Sequence, residues 1–262
     1  MEKRLLAVIS MLVMFAGSTN VWAWNGYGHS CAAYIAEQHL TPEAKAKCEE
    51  YLQHSFVFHA SWMDKWRFIG AYKPTTIWHV IRADENWKLD ESEKRLAEYQ
   101  TTRIWKEMKD YKNLPDSLVR QNLIYLIHMV PDFHCPVHIF LKKGEHPDKR
   151  YNLRKAGKKF GLHTFWDRSP GFHREGWTME KYAEEVDKIS PKLAKKYQKG
   201  DAITWAKDAV KQAERAYPIT PAGTEITTIP PKTVKKIHAL SDEMILKGAY
   251  RLAYIINDIF KE

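Results

Sequence analysis

Residues 234–260, VKKIHALSDEMILKGAYRLAYIINDIF, decide the fold class, because their apolar side chains recur every three or four positions. That period puts the apolar side chains on one broad face of a helix. The face comprises Ile237, Leu240, Met244, Leu246, Ala249, Leu252, Ala253, Ile256 and Ile259. A helix this long needs other elements to cover such a face, so the segment predicts a helical core.

Four further segments carry helix start signals. Thr41 precedes Pro42, and a threonine N-cap followed by proline is typical of a helix start. Thr178 precedes MEKYAEEVDKI, Asp201 precedes AITWAKDAVKQAERA and Asp116 precedes SLVRQNLIYLIHMV, so each is a predicted N-cap. No segment shows the convincing apolar–polar alternation of a strand. The sequence therefore predicts an all-α fold, built as a single compact multi-helix domain.

The opening residues are typical of an export signal. Lys3 and Arg4 precede an apolar run over residues 5–17, and small residues lead to Ala23. The run is shorter than the roughly 20 apolar residues of a membrane helix, and no later segment supplies them. We therefore expect residues 1–23 to be a signal peptide and residues 24–262 to be the functional domain. Cleavage before Trp24 would leave an exported protein, periplasmic or extracellular, with no stable membrane insertion.

The net charge and the cysteine count indicate which binding partners and which disulfides the chain could have. The formal net charge of +9 suits a polyanion such as nucleic acid or anionic lipid, although the lysines are scattered along the chain. Cys31 and Cys48 could pair in an exported protein, but the odd count of three cysteines leaves a free thiol. The oligomeric state stays open at this level, and we favour a monomer.

Histidines and aspartates recur at a spacing that suits metal binding. His128 and Asp132 are four residues apart in a helical run, as are His163 and Asp167, so each pair shares one helix face. His138 follows Asp132 beyond a turn. Imidazole and carboxylate are zinc ligands, and a catalytic zinc takes three protein ligands and leaves a position for water. The set predicts a zinc centre, although either pair alone would also suit a structural ion pair.

Two more polar residues stand in aromatic surroundings. Asp64 lies in SWMDKW and His79 in TTIWHV, and both are candidates to complete a site with His128 and Asp132. Spacing alone does not distinguish them from ordinary structural residues.

The mature chain start supplies a further candidate ligand. Cleavage before Trp24 would free an α-amino group whose reference pKa is about 7.7 to 8.0, so part of it is unprotonated near neutral pH. The amine and carbonyl of Trp24 can chelate a metal in a five-membered ring, and His29 can complete the site. Without that role, Trp24 would be an aromatic residue packed on the core.

These motifs together resemble a known family. WNGYGH, SWMD, WH, H-x-x-x-D with H-C-P-V-H, LHTFWD and LKGAYRLAYIIN occur here in the order found in secreted, zinc-dependent, single-strand-specific nucleases and 3'-nucleotidases of the P-one/S-one type. The resemblance runs from Trp24 to about Asn257. It implies an all-helical fold that holds three zinc ions in a cleft.

Carried over residue by residue, the resemblance implies three sets of ligands. The first zinc would be held by Asp64, His79, His128 and Asp132. The second would be held by His138, His163 and Asp167. The third would take the amine and carbonyl of Trp24 with His29 and Asp132, so that Asp132 bridges two ions. Arg67 matches a family arginine near the scissile phosphate, and Asp64 would additionally orient the nucleophile.

The implied activity is hydrolysis of single-stranded RNA or DNA to 5'-mononucleotides, with removal of 3'-phosphates from nucleotides as a related activity. Two alternatives stay open. One is a zinc-dependent phospholipase C, which shares the fold and the N-terminal tryptophan ligand. The other is an exported protein that binds zinc or nucleic acid without catalysis. The sequence departs from the nuclease pattern after His79, where Val80, Ile81 and Arg82 replace the usual aromatic and base-holding residues, and this departure favours the phospholipase alternative.

Overall fold

The computed structural model of the protein describes residues 24–141 and 152–261, so the predicted signal peptide lies outside the described residues. The helices are α1 Gly26–Gln38, α2 Pro42–Leu52, α3 Phe56–His59, α4 Trp62–Trp66, α5 Ala97–Met108, α6 Asp116–Asp132, α7 Leu162–Asp167, α8 Met179–Val186, α9 Pro191–Gln198, α10 Ala202–Ile219 and α11 Pro231–Ile259. Short 3₁₀ helices cover Gly70–His79, Tyr111–Asn113, Ser169–Gly171 and Ile226–Thr228. The predicted all-α class is confirmed.

The last helix is the centre of the core, as its sequence period predicts. α11 packs against α1, α6, α9 and α10, and its apolar face is buried. Gly248 lets α11 approach α6 closely, because a Cβ there would lie 3.1 Å from the Cα of Pro131. The helix begins at Pro231, three residues before the predicted segment, because proline suits the first helical position. Within residues 24–141 and 152–261, no helix is long and apolar enough to cross a bilayer.

Three of the four predicted N-caps are confirmed. Thr41, Thr178 and Asp201 each accept a hydrogen bond from the backbone N–H three residues further on. The prediction for Asp116 is wrong. Pro115 is the N-cap of α6 and Asp116 is the first helical residue, where its charge still favours the positive end of the helix dipole.

The described residues include four short strands, where the sequence showed no convincing strand pattern. β1 Ile81–Ala83 pairs in parallel with β2 Ile139–Leu141, and β3 Asn152–Lys155 pairs antiparallel with β4 Lys158–Gly161. Strands of three or four residues are too short to show the alternation that identifies a strand in sequence. The first pair matters for the site, because β1 follows His79 and β2 follows His138.

None of the three cysteines is in a disulfide in the part of the chain that the structure describes, which includes all three. Cys31, Cys48 and Cys135 are all buried free thiols. The pairing of Cys31 with Cys48 that the sequence left open is therefore not made in this structure.

One buried acid lies outside the histidine motifs. Glu98 on α5 is fully buried, and neither of its carboxyl oxygens has a hydrogen-bond partner among the described residues. Burial raises its pKa to about 8 from the usual 4.5. The buried carboxyl is therefore neutral over much of the physiological range.

This shift makes stability depend on pH. Below about pH 4.5 the Glu98 carboxyl is protonated in both the folded and unfolded chain. Between pH 4.5 and about 8 it ionises only when the chain unfolds, so the free energy of unfolding falls as pH rises through this window. We expect Glu98→Gln to raise the free energy of unfolding at pH 8 by about 4 kcal/mol, and by much less at pH 5. Thermal unfolding at both pH values measures this, with the exposed Glu184→Gln as control. An equal gain at both pH values would contradict it.

Candidate metal centre

Side chains from distant parts of the chain meet at one end of α6. They come from α1 (His29), α4 (Asp64), the 3₁₀ helix that ends at His79, α6 (His128 and Asp132), the turn after α6 (His138) and α7 (His163 and Asp167). All except Asp64 are buried. The structure thus brings together every imidazole and carboxylate that the sequence predicts as a metal ligand.

Asp132 is the hub of this cluster. Its Oδ2 lies 2.9 Å from Nδ1 of His79 and 3.6 Å from Nε2 of His128. Its Oδ1 lies 2.9 Å from Nδ1 of His138 and 3.6 Å from Nε2 of His29. One carboxylate therefore faces four imidazoles, and its two oxygens face different pairs of rings.

Asp64 closes the cluster on its open side. Its Oδ1 lies 3.5 Å from the guanidinium of Arg67 and 3.8 Å from Nδ1 of His79, and its Oδ2 lies 3.9 Å from Nε2 of His29. The Asp64 side chain is 24% exposed, whereas that of Arg67 is only 3% exposed. The Asp64 carboxylate on α4 and the Arg67 guanidinium at the C-cap of α4 therefore form the edge through which a substrate would reach the histidines.

A second group lies on the other side of Asp132. Nε2 of His138 is 3.4 Å from Oδ1 of Asp167, and Nε2 of His163 is 3.3 Å from its Oδ2. Cys135 was not predicted here, yet its thiol donates to Oδ1 of Asp167 at 3.4 Å. Burial raises the pKa of this thiol to about 12, so it is protonated at neutral pH. In the sequence, Cys135 is marked by its position between His134 and His138 in the H-C-P-V-H motif.

Backbone carbonyls orient two of the rings. Nδ1–H of His128 donates to the carbonyl of Ala60 at 2.7 Å, and Nδ1–H of His138 donates to the carbonyl of His79 at 3.1 Å. A carbonyl can only accept, so Nδ1 carries the proton in both contacts and Nε2 of each ring faces the carboxylates of the cluster. The β1–β2 pairing fixes the second of these contacts, since the N–H of Ile81 donates to the carbonyl of His138.

The predicted mature chain start is anchored between the two groups. Trp24 is fully buried, and its indole N–H donates to the carbonyl of Pro131 at 2.9 Å, one residue before Asp132. The N–H of Asn25 donates to the carbonyl of Asp167 at 3.0 Å. Gly28 is needed for this packing, because a Cβ there would lie 3.1 Å from Cβ of Trp24. These contacts hold the Trp24 backbone beside two of the acidic residues.

The donor atoms fit divalent metal ions. Both ring nitrogens of His29 and Nε2 of His138 are buried without a hydrogen-bond partner among the described residues, which native interiors rarely tolerate. Three sets of donors each lie within 4.8 Å of one another: His29, Asp64 and His128; His79, His128 and Asp132; and Cys135, His138 and Asp167. Imidazole with carboxylate is a donor set that zinc accepts.

The protonation states of the buried histidines also favour a bound metal cation. Burial lowers the pKa of His29, and it lowers that of His79 to about 4, so both rings are neutral and their lone pairs are available. Burial also opposes charge on His138, yet the charge of Asp132 helps to hold the pKa of His138 well above its usual value. The buried acids thus require positive charge at this position, and a divalent cation would supply it.

Comparison with known proteins identifies the family. A family model described as S1/P1 Nuclease matches residues 24–261. The chain belongs to the S1/P1 nuclease family. Two curated relatives are Nuclease P1 from Penicillium citrinum and Nuclease PA3 from Penicillium sp, each 24% identical over 270 and 268 residues. Each comparison covers 90% of this chain and 97% of the relative. The S1/P1 family supports a nuclease activity, and the family that the motifs resemble is confirmed.

One motif histidine of this nuclease lies outside the cluster. Nδ1–H of His134 donates to the carbonyl of Val130 at 2.6 Å, and its Nε2 accepts from the guanidinium of Arg251 at 2.6 Å. Arg251 also donates to Asp208 at 2.7 Å. Both ring nitrogens of His134 are therefore engaged away from the acids of the cluster.

An apolar cavity of about 540 Å³ opens beside the cluster of the nuclease. Its lining includes Arg67, Phe68, Lys73, His79, Val80 and Phe140. Val80 thus occupies the wall where the family pattern usually has an aromatic residue. Phe68 and Phe140 contribute aromatic rings to the same cavity from other parts of the chain, which spacing around His79 did not reveal.

Proposed function

We propose that this nuclease is a zinc-dependent phosphodiesterase that hydrolyses single-stranded RNA or DNA to 5'-mononucleotides, with 3'-phosphate removal from nucleotides as a related activity. The observation that carries the proposal is the convergence of buried imidazoles and carboxylates on Asp132, next to a cavity lined by Arg67. A cluster with this many buried carboxylates and imidazoles needs cations to balance the negative charge of the carboxylates. Phosphodiester hydrolysis is a reaction that several divalent ions together can catalyse.

Three zinc ions are proposed, with the ligands implied by the sequence resemblance. Asp64, His79, His128 and Asp132 would hold one ion, and His138, His163 and Asp167 would hold a second. The amine and carbonyl of Trp24 would join His29 and Asp132 around the third. The short contacts from Asp132 to rings of all three sets support its role as the shared ligand.

The ions would supply Lewis acidity, which makes water nucleophilic near neutral pH and stabilises a departing 3'-oxygen. The protein's own groups do the remaining work. The Arg67 guanidinium lines the cavity and can donate to the non-bridging oxygens of a phosphate, where negative charge increases in the transition state. The partly exposed Asp64 carboxylate, close to Arg67, can accept a hydrogen bond from the attacking water and orient it.

The recessed cavity supports a preference for single strands. A nucleotide must leave its base stack to bring its phosphate to Arg67 while its base enters an apolar space of about 540 Å³. Unpairing and unstacking cost a few kcal/mol in a duplex, and a single strand avoids most of that cost. We also propose that the enzyme is exported and that its mature form begins at Trp24, the residue at which the family match starts.

The test is an assay of protein purified with Trp24 as its first residue. We expect it to release 5'-mononucleotides from a single-stranded oligonucleotide and to cleave the matched duplex much more slowly. Removal of metal by a chelator should abolish turnover, and added zinc should restore it. Phosphatidylcholine vesicles provide the comparison substrate. Hydrolysis of the vesicles without hydrolysis of the oligonucleotide would instead support a phospholipase, and zinc-dependent binding without turnover would support a non-catalytic protein.

A further inference from the structure

Exposed aromatic residues are concentrated beside the metal centre. Four of the large hydrophobic side chains that reach solvent lie within one short segment: Phe58 at 62%, Trp66 at 40%, Phe68 at 60% and Ile69 at 53% exposure. Scattered exposed apolar residues are normal, whereas a cluster marks an interaction surface. We name the set Phe58, Trp62, Trp66, Phe68 and Tyr72 the aromatic strip.

Phe68 borders the cavity beside the metal centre, and three other rings of the aromatic strip contact one another. Phe68 lies under the Arg67 guanidinium at 4.9 Å and lines the cavity that also contacts His79. Trp66 stacks on Trp62 with ring centroids 5.8 Å apart, and the edge of Tyr72 meets Trp62 at 4.9 Å.

The outer end of the strip is a second cavity. Phe58 lines a cavity of about 400 Å³ together with Trp62, Tyr72 and Arg120. The outer cavity therefore shares Trp62 and Tyr72 with the stacked rings of the strip.

Helix geometry separates this surface from the ligand face of α4. Asp64 faces the histidines, and the Arg67 guanidinium, three residues on, lies 3.5 Å from its carboxylate. Trp62 and Trp66, four residues apart, stack on a neighbouring face of the same short helix. A strand bound at Arg67 would thus meet aromatic rings as soon as it leaves the metal centre.

The charge around the strip is positive. Between residues 54 and 82 the sequence contains Lys65, Arg67, Lys73 and Arg82, and Asp64 is its one carboxylate. Arg120 adds a cation from α6 at the outer cavity. Aromatic faces with cations beside them are how proteins bind single strands without reading sequence, because every base has a face that can stack.

We propose that the aromatic strip binds the part of a single-stranded substrate that extends beyond the cleaved phosphodiester, so that the enzyme prefers long strands to dinucleotides. This inference rests on the proposed nuclease function and adds to it a surface that spans several nucleotides. The strip stacks the flanking bases while Lys65 and Arg120 contact the flanking phosphates.

The test compares a dinucleoside monophosphate with a single-stranded 12-mer on the zinc-loaded mature enzyme. The variant carries Phe58→Ala and Trp66→Ala, both exposed positions. We expect the ratio of kcat/KM for the 12-mer to kcat/KM for the dinucleotide to fall about tenfold or more, mainly through KM, since each stacked base contributes substantially to binding. Tyr254→Ala, at an exposed aromatic on α11, should leave the ratio unchanged.

Lys65→Gln should lower the salt dependence of KM for the 12-mer. The slope of log KM against log salt concentration should fall by roughly 0.7, because one phosphate contact is lost.

Several results would overturn the inference. A parallel loss on both substrates would mean that the strip only supports the metal centre. An unchanged ratio would mean that flanking nucleotides do not contact it. If instead the variant loses affinity for anionic vesicles, or dissociates from a dimer, a lipid surface or a second copy covers the strip. Failure of the unmodified enzyme to cleave either substrate would refute the proposed function itself, and is thereby distinguishable from failure of the strip.

Discussion

An enzyme with one extra residue before Trp24 should lose more than about a hundredfold of its nuclease activity while it keeps its fold, because even changes outside the first ligand shell typically cost 10- to 100-fold. The added residue converts the proposed amine ligand into an amide, whose nitrogen has no available lone pair. The added residue must also fit beside Trp24, which is fully buried. The contacts of Trp24 with Pro131 and of Asn25 with Asp167 leave the chain little freedom to move aside.

This experiment needs three measurements. Mass spectrometry verifies the extension, thermal unfolding verifies the fold, and elemental analysis is expected to show about one zinc fewer per chain, as one of the three proposed sites loses its amine ligand. The matched control adds one residue after Glu262, at the other end of the chain. Full activity in protein shown to retain the amino-terminal extension would remove Trp24 from the ligand set.

Asp132→Asn should be the most damaging single substitution in the cluster. The amide keeps the size of the side chain but loses the negative charge that faces His29, His79, His128 and His138. Two of the proposed ions share this carboxylate, so both should be lost or weakened. We expect an activity loss well above the roughly hundredfold effect of second-shell changes.

Asp167→Asn is the matched control, because it removes a buried carboxylate that serves one proposed ion. It should lose about one zinc equivalent, whereas Asp132→Asn should lose about two. Zinc content and kcat/KM of both variants, measured on the same oligonucleotide, decide the matter. Equal losses in the two variants would exclude a bridging role for Asp132.

The helical parts of the fold could be predicted because their signals are local. The period of α11 and the caps at Thr41, Thr178 and Asp201 depend only on residues within a few positions of one another. The start of α6 was misplaced by one residue because both proline and aspartate are common at a helix start.

The site could be predicted only as a set of residue types. Motif spacing and family resemblance nominated the ligands, yet nothing local indicates that His29 stacks on His128 with ring centroids 4.1 Å apart. Local sequence also gives no sign that Cys135 donates to Asp167. It gives no sign either that Phe68 and Phe140 line the cavity next to Val80. These contacts join residues far apart in the chain, so spacing carries no record of them.

The sequence by itself determined that the chain is helical, that Asp132 and its neighbouring histidines share faces of helices, and that its motifs are those of the S1/P1 nucleases. Only the tertiary structure decided how these residues meet. The indole of Trp24 reaches Pro131 across 107 positions of sequence, and the β1–β2 pair brings His79 to His138. The physical reason is that periodicity and capping act between near neighbours, whereas a buried cluster of acids and imidazoles forms only when core packing closes distant segments around it.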